Sequence, residues 1–449
     1  MSSRSPATIS APGRSESGSQ GIALRVLLVN KFWKPFGGVE EHCRNLSELL
    51  SREGHEVVPF GMADPENEPT LPEELSVTAV SFHGGGLRER ARAAARACLG
   101  LETRRKIADL LANEHFDVAH VVHAYHQLGM TFMPLLRKHG VPTILDLHDY
   151  KVGCPRYLLF DDHADAPCTV CLDHKRAWAW APTARRCWNG SGVSGALLTA
   201  EALSARVTRA YTAADRVVVR NDLQRKAAIH VGVPADRVQV IPNWVADSDD
   251  RGGHAAGDHI LFVGRLVREK GVHTLIQASR GVSAPIRVLG DGPMRADLEA
   301  LAAKEDVDVS FLGWRDHDEA LAELRTARAL VVPSIWPEVF PLVICEAFSA
   351  GVPVIGSDIG GNSDMLASDR GFVFPAGDVD RLTALLREVV EDPASAAERA
   401  ANAREYSRQY LSYDHWRKLY RDVYTNLFKP HDRIVSDEDC TNRYPRGPG

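Results

Sequence analysis

Short, wholly apolar runs recur along the chain, and helical spacing of apolar positions fills the intervals between them. The first run is Arg25-Val-Leu-Leu-Val29, followed by a turn at Gly37-Gly38 and a helical pattern from Val39 to Arg52. Further strands are predicted at 55–60, 77–82, 118–122, 142–147, 215–219 and 237–241. A second series runs through 259–263, 286–289, 309–312, 329–332 and 353–356. Strands that lack polar alternation are buried on both faces, as in a parallel sheet covered by helices. Strand and helix in alternation imply right-handed βαβ units. The fold class is therefore α/β, with two Rossmann-like, doubly wound domains facing across a cleft. Ligands of such sheets gather at the carboxyl ends of the strands.

Interruptions of this rhythm set the boundaries. Residues 1–22 are rich in Ser, Pro, Gly and Arg and read as a disordered tail. An N-terminal domain spans 23–246, broken by a cysteine-rich insertion at 150–190. The polar, Gly-rich stretch 247–257 reads as a linker, 258–392 as the second domain, 393–428 as C-terminal helices and 429–449 as a tail.

Composition narrows the class. Apolar residues make up 44% and charged residues 25% of 449, and the formal net charge is −6, which argues against a nucleic-acid binder. No apolar run reaches the roughly 18 to 20 residues that span a bilayer. The first residues lack the apolar core of a signal peptide, so the expected location is cytoplasmic, extending to peripheral contact at the inner face of the membrane. The segment 88–106 is basic, with Arg88, Arg90, Arg92, Arg96, Arg104, Arg105 and Lys106 among alanines and leucines. It reads first as a solvated helix face, and second as a contact for anionic lipid or a charged acceptor.

Candidate chemistry concentrates in Pro333-Ser-Ile-Trp-Pro-Glu338-Val-Phe340-Pro341-Leu342-Val343-Ile-Cys-Glu346-Ala, where two carboxylates stand eight positions apart. Pro341 can open a helix, leaving the amides of Leu342 and Val343 free at a positive end suited to an anion. On spacing alone, Glu338 could equally favour the helix start and Glu346 be a surface residue. Several Asp-x-Asp pairs mimic a metal-dependent donor site, but Asp378-Val-Asp380 is better read as a helix cap. Three histidines, His120, His123 and His126, end the strand at 118–122, and His148 ends the next. Imidazoles there can hydrogen-bond a ligand in a cleft, or be satisfied structurally.

The carboxylate segment resembles the signature of the family 4 retaining glycosyltransferases, enzymes of GT-B fold that use nucleotide-diphosphate sugars. Phe262-Val-Gly264-Arg265-Leu266, Lys270-Gly271, Leu289-Gly290-Asp291-Gly292-Pro293, Ile241-Pro242-Asn243 and Gly37-Gly38-Val39-Glu40 are similar to further segments of that family, in the same order. The resemblance implies that Arg265 and Lys270 bind the diphosphate without a catalytic metal. It assigns Glu346 to the ribose hydroxyls and Glu338 to the transferred sugar, with Gly37, Gly38, Gly290, Phe340, Leu342 and Val343 also lining the nucleotide-sugar site. Glu338, His120, His123 and His148 are the candidates at the reacting centre. Pro341 departs from the family's usual glycine and removes an amide donor. His-x-His is usual after the strand, but Val122 stands at the second position. The expected activity is sugar transfer, with retained configuration, to a glycan, lipid-linked or small-molecule acceptor. An epimerase or phosphorylase on the same fold, or a non-catalytic nucleotide-sugar-binding partner protein, is the alternative.

Cysteine usage adds a second signal. Four of the eight cysteines fall in the insertion as Cys154-x13-Cys168-x2-Cys171-x15-Cys187. In a reducing compartment this spacing fits a structural zinc ion held by four thiolates, or four unligated thiols. Similar four-cysteine insertions occur in a subset of the family it resembles.

Overall fold

Val26, Leu27, Leu28 and Val29 are fully buried, and the strand they form lies third from one edge of a seven-stranded sheet. In the computed structural model, which describes residues 23–34, 37–82, 86–247 and 257–428, this sheet contains β1 (Arg25–Val29), β2 (Glu56–Met62), β3 (Ser76–Val77), β4 (Val118–Val121), β5 (Thr143–Asp146), β8 (Arg216–Val219) and β9 (Val238–Val240). Its order is β3-β2-β1-β4-β5-β8-β9, with every pair parallel. The second sheet is also parallel, in the order β12-β11-β10-β13-β14-β15. It is built from β10 (Ile260–Val263), β11 (Ile286–Leu289), β12 (Val309–Gly313), β13 (Ala329–Val332), β14 (Val354–Ser357) and β15 (Phe372–Phe374). The expected tails and residues 248–256 of the expected linker lie outside the described residues.

Three departures from the expected pattern have physical causes. The strand expected at 77–82 stops at Val77, because the Thr78 amide and hydroxyl both turn to the Glu102 carboxylate. β15 was not foreseen; its three residues, between Gly371 and Pro375, are too short for a periodicity argument. The C-terminal helices, read as one unit, divide between the sheets. Helix Pro393–Tyr410 packs Ala403 and Tyr406 on the second sheet, whereas Tyr413–Leu427 lays Trp416, Tyr420 and Tyr424 against Val26, Leu28 and Ile144 of the first.

The insertion is locally ordered. It holds a two-stranded antiparallel hairpin, β6 (Phe160–Asp161) with β7 (Ala166–Pro167), and one-turn helices at Val170–Asp173 and Ala181–Ala184. In the basic segment, Arg88, Arg90 and Arg92 are exposed, but Arg96 is buried, bonded to the carbonyls of Thr78 and Gln127 and paired with Glu102. Among the described residues no helix is long and apolar enough to cross a membrane.

Candidate active site

Loops at the carboxyl ends of both sheets meet between the domains. From the second sheet, the loop after β13 delivers Glu338 and then the helix Leu342–Ala350, with Pro341 as its N-cap, as the sequence implied. Glu338 is 5% exposed. Its Oε1 accepts hydrogen bonds from Lys270 Nζ and Ser334 Oγ, each at 2.7 Å. Lys270 ends a 3-10 turn after β10 and lies 5.7 Å from the centre of the Trp336 ring. Arg265, on the same loop, is exposed. Sequence reasoning placed these groups in one site but did not foresee the direct pairing of Lys270 with Glu338.

Backbone proximity explains the glycine after β11. A Cβ on Gly290, whose φ is +132°, would stand 1.9 Å from the Gly264 carbonyl, so the β10 and β11 loops can approach only with glycine there. Glu346 lies one helical turn beyond Leu342, partly buried. Burial pushes its carboxyl above the ordinary range, and His317, with Nδ1 3.8 Å from Oε1, opposes that rise. Leu342 and Val343 are half-buried, as is Phe340. Across the cleft, helix Gly38–Arg52 presents its own N-terminus, and a Cβ on Gly38 would touch Leu342 at 3.5 Å. Two positive helix ends from two domains therefore converge, an arrangement that favours anions.

The histidines separate into three settings. His120 is fully buried, with Nδ1 2.9 Å from Tyr424 Oη and Nε2 3.5 Å from Asp146. It faces the C-terminal helix, which corrects the expectation that it borders the cleft. His148 belongs to the same cluster, with Nε2 2.9 Å from Arg220 Nη2 and 3.4 Å from Asp146. His123, 3.3 Å from Asp149, lies nearer the cleft, and burial together with Lys31 depresses its imidazole. His126 pairs with Glu201 at 2.9 Å, and Glu201 is held down to about 2, against its burial, by Lys151 and His126.

Asp146 centres a buried network that sequence reasoning missed. It accepts hydrogen bonds from Arg220 Nη2 and Tyr420 Oη, both at 2.5 Å, and lies 3.2 Å from His42 Nε2. The polar run Asp146-Leu-His148-Asp149 directly after an apolar strand was its one visible signal. Although its own burial opposes this, Arg220 and then His148 hold the Asp146 carboxyl well below the usual range; burial lowers His42 to about 4. His42, Asp146 and His148 are the one trio among the described residues whose ligand atoms lie within 4.8 Å of one another. The Arg220 guanidinium already balances the carboxylate there.

The four cysteines of the insertion line one cavity, with Phe160, Pro182 and Arg185. Burial pushes three of these thiols up: Cys154, Cys171 to about 12 and Cys187 to about 11.

The chain resembles known proteins over most of its length. Residues 36–249 match the model of Glycosyltransferase Family 4, and residues 253–410 that of Glycosyl transferases group 1. Glycogen synthase of Mycobacterium tuberculosis is 28% identical over 419 residues, covering 85% of this chain and 90% of that protein. Among solved structures, sucrose-phosphate synthase from Thermosynechococcus elongatus superposes with a TM-score of 0.63 at 21% identity, covering 90% of this chain and 99% of that one. Anabaena HepE in complex with UDP and glucose superposes with a TM-score of 0.57 at 17% identity, covering 90% and 99%. With paired parallel sheets and its two halves matching, in order, the models of Glycosyltransferase Family 4 and Glycosyl transferases group 1, the chain is a glycosyltransferase of GT-B fold.

Proposed function

We propose that the protein transfers a sugar from a nucleotide-diphosphate sugar to an acceptor with retained anomeric configuration. The observation that carries this reading is the buried Glu338 carboxylate, bonded to Lys270 and Ser334 just before a helix whose first residue, Leu342, lies beside Gly38 of the opposite domain. Arg265 and Lys270 would hold the diphosphate, and departure of that leaving group is stabilised by fixed cations and amides in a water-poor cleft. A diphosphate drawing Lys270 away would free Glu338 to accept hydroxyls of the transferred sugar. Glu346 would accept the ribose hydroxyls. That HepE was solved with UDP and glucose supports the choice of donor class.

A front-face displacement, in which the leaving phosphate takes the acceptor proton, would give the retained configuration that the family resemblance implies. His123, paired with Asp149, is the imidazole best placed to meet the acceptor. Exposed Val193, Leu203 and Val207 on helix Gly192–Val207, in a domain that also exposes Arg88 and Arg92, support work at an anionic lipid surface.

Cys154, Cys168, Cys171 and Cys187 would hold a zinc ion. Four thiols lining one cavity would, once drawn together on the ion, leave no open coordination position, so the ion would order the insertion rather than take part in transfer. A bound cation would oppose the effect of burial that raises Cys154, Cys171 and Cys187.

The test is a thermal-shift screen against UDP, ADP and GDP and their sugars. A ligand at 100 times its dissociation constant adds about 2.7 kcal/mol. A shift with one nucleotide, followed by its release from the sugar, supports the reading; no shift with any of them contradicts it.

A further inference from the structure

Tyr150 and Asn221 belong to the N-terminal domain, yet their polar atoms are directed at the backbone of the loop that carries Glu338. Tyr150 is fully buried, and its hydroxyl donates to the Glu338 carbonyl at 3.0 Å. Asn221 is 3% exposed; its Nδ2 donates to the Tyr150 hydroxyl at 3.0 Å and to the Val339 carbonyl at 2.6 Å. From its own domain, the Glu338 carbonyl receives the Gly361 amide at 2.6 Å. Two successive carbonyls beside the buried carboxylate are thus satisfied from the opposite sheet.

A parallel contact reaches the other donor loop. Asp165, in the hairpin between β6 and β7, pairs with Arg268, whose Nε lies 2.7 Å from Oδ2. Arg268 opens the 3-10 turn that ends in Lys270. Tyr150 itself is rooted in the start of the cysteine insertion, because its carbonyl accepts the amides of Gly153 and Cys154 at 3.0 and 2.8 Å. Lys270 and Glu338, which bond to each other, are therefore each backed by an N-terminal-domain residue.

We infer that Tyr150 and Asn221 are positioning residues for transfer, coupling closure of the two domains to the alignment of Glu338 with Lys270. When the domains part, the Glu338 and Val339 carbonyls lose these donors and the loop is free to shift. When they close, the loop is fixed from both sides. The inference rests on the donor reading above, since alignment matters only where Glu338 meets the transferred sugar. Preorganisation of this kind raises turnover more than ground-state affinity.

Two variants isolate the contact. Tyr150→Phe keeps the buried ring and deletes the hydroxyl. Asn221→Asp keeps the side-chain acceptor that caps the next helix through the Gln224 amide at 2.8 Å, and deletes the donor. Hydrogen exchange in the ligand-free protein should show peptides covering 336–341 exchanging at least fivefold faster in both variants, with β1 and β10 unchanged. Exchange equal to wild type in 336–341 overturns the inference whatever the enzyme's substrate. For turnover, hydrolysis of UDP-glucose, ADP-glucose and GDP-mannose is measured beside the affinity for the matching nucleoside diphosphate. Turnover should fall roughly tenfold or more with affinity within twofold, and the double variant should be no worse than the weaker single. Equal losses in both, or wild-type turnover in both variants, also overturn it. Wild-type protein that neither binds nor hydrolyses any of the three would instead reject the donor reading.

Discussion

Replacing Asp146 by Asn removes one charge and almost no volume, and it should destabilise the N-terminal domain far more than a surface change. Arg220, 1% exposed, would keep its charge with the Ile241 carbonyl, the Tyr420 hydroxyl, neutral rings and an uncharged carboxamide in place of the carboxylate. Breaking a buried ion pair from one side typically costs about 3–5 kcal/mol, because the partner charge is left uncompensated. A typical domain is only about 5–15 kcal/mol stable, so the loss is a large fraction of the whole. The Asp146 carboxylate also accepts the hydroxyl of Tyr420, so helix Tyr413–Leu427 should loosen with it. Hydrogen exchange reads this directly, since amides of β1, β4 and β5 report on the perturbed domain and those of β10 and β13 serve as an internal reference. The expected result is a drop of about 3 kcal/mol or more in the first set and none in the second. The double variant Asp146→Leu with Arg220→Met should recover part of the loss, because an apolar pair leaves no stranded charge. A drop below about 1 kcal/mol in the first set, or an equal drop in both sheets, would refute the network as an anchor of the N-terminal domain.

Other consequences are equally open to measurement. His42 is held neutral down to about 4 in the folded state, whereas an unfolded imidazole takes up its proton near 6.5, so stability should fall as pH drops between those values, on the order of 3 kcal/mol for this group. Denaturation midpoints at pH 7.5, 5.5 and 4.5 check this, and a His42→Asn variant with the wild-type acid slope would contradict it. Arg265→Ala and Lys270→Ala should each lower donor turnover at least tenfold, about 1.4 kcal/mol, and EDTA should leave donor binding intact in a calorimetric titration. Cys168→Ser should lower the zinc content found by elemental analysis and raise protease sensitivity between 150 and 190; less than about a tenth of an equivalent of metal in the wild type would reject the site.

Much of this architecture is legible in the sequence, because buried parallel strands leave unbroken apolar runs. β1, β11 and β13 have the expected bounds, and Pro341 and Asp378 cap the expected helices. The candidate site was legible where structure is local: the segment from Glu338 to Glu346 forms the loop and helix start after β13, as the sequence implied. It was not legible where function depends on contacts between distant segments. His120 and Tyr424 lie 304 positions apart, and Tyr150 and Glu338 lie 188 apart. No periodicity links such pairs, and a histidine ending a strand looks the same whether it meets a cleft or a helix folded back from the C-terminus. Arg96 illustrates the same limit: a basic run reads as surface until one member is found buried and bonded to two backbone carbonyls.

The donor assignment is tested most directly by separating binding from transfer at the two carboxylates. Nucleoside diphosphate affinity is measured by calorimetry, and release of nucleotide from the sugar is followed in the same preparations of wild type, Glu346→Ala and Glu338→Ala. Glu346→Ala should weaken nucleotide binding at least tenfold, whereas Glu338→Ala should bind free nucleotide within twofold of wild type and lose at least a hundredfold in turnover. Equal weakening of nucleotide binding in both variants, or full turnover without the Glu338 carboxylate, would contradict a donor site built on this pair.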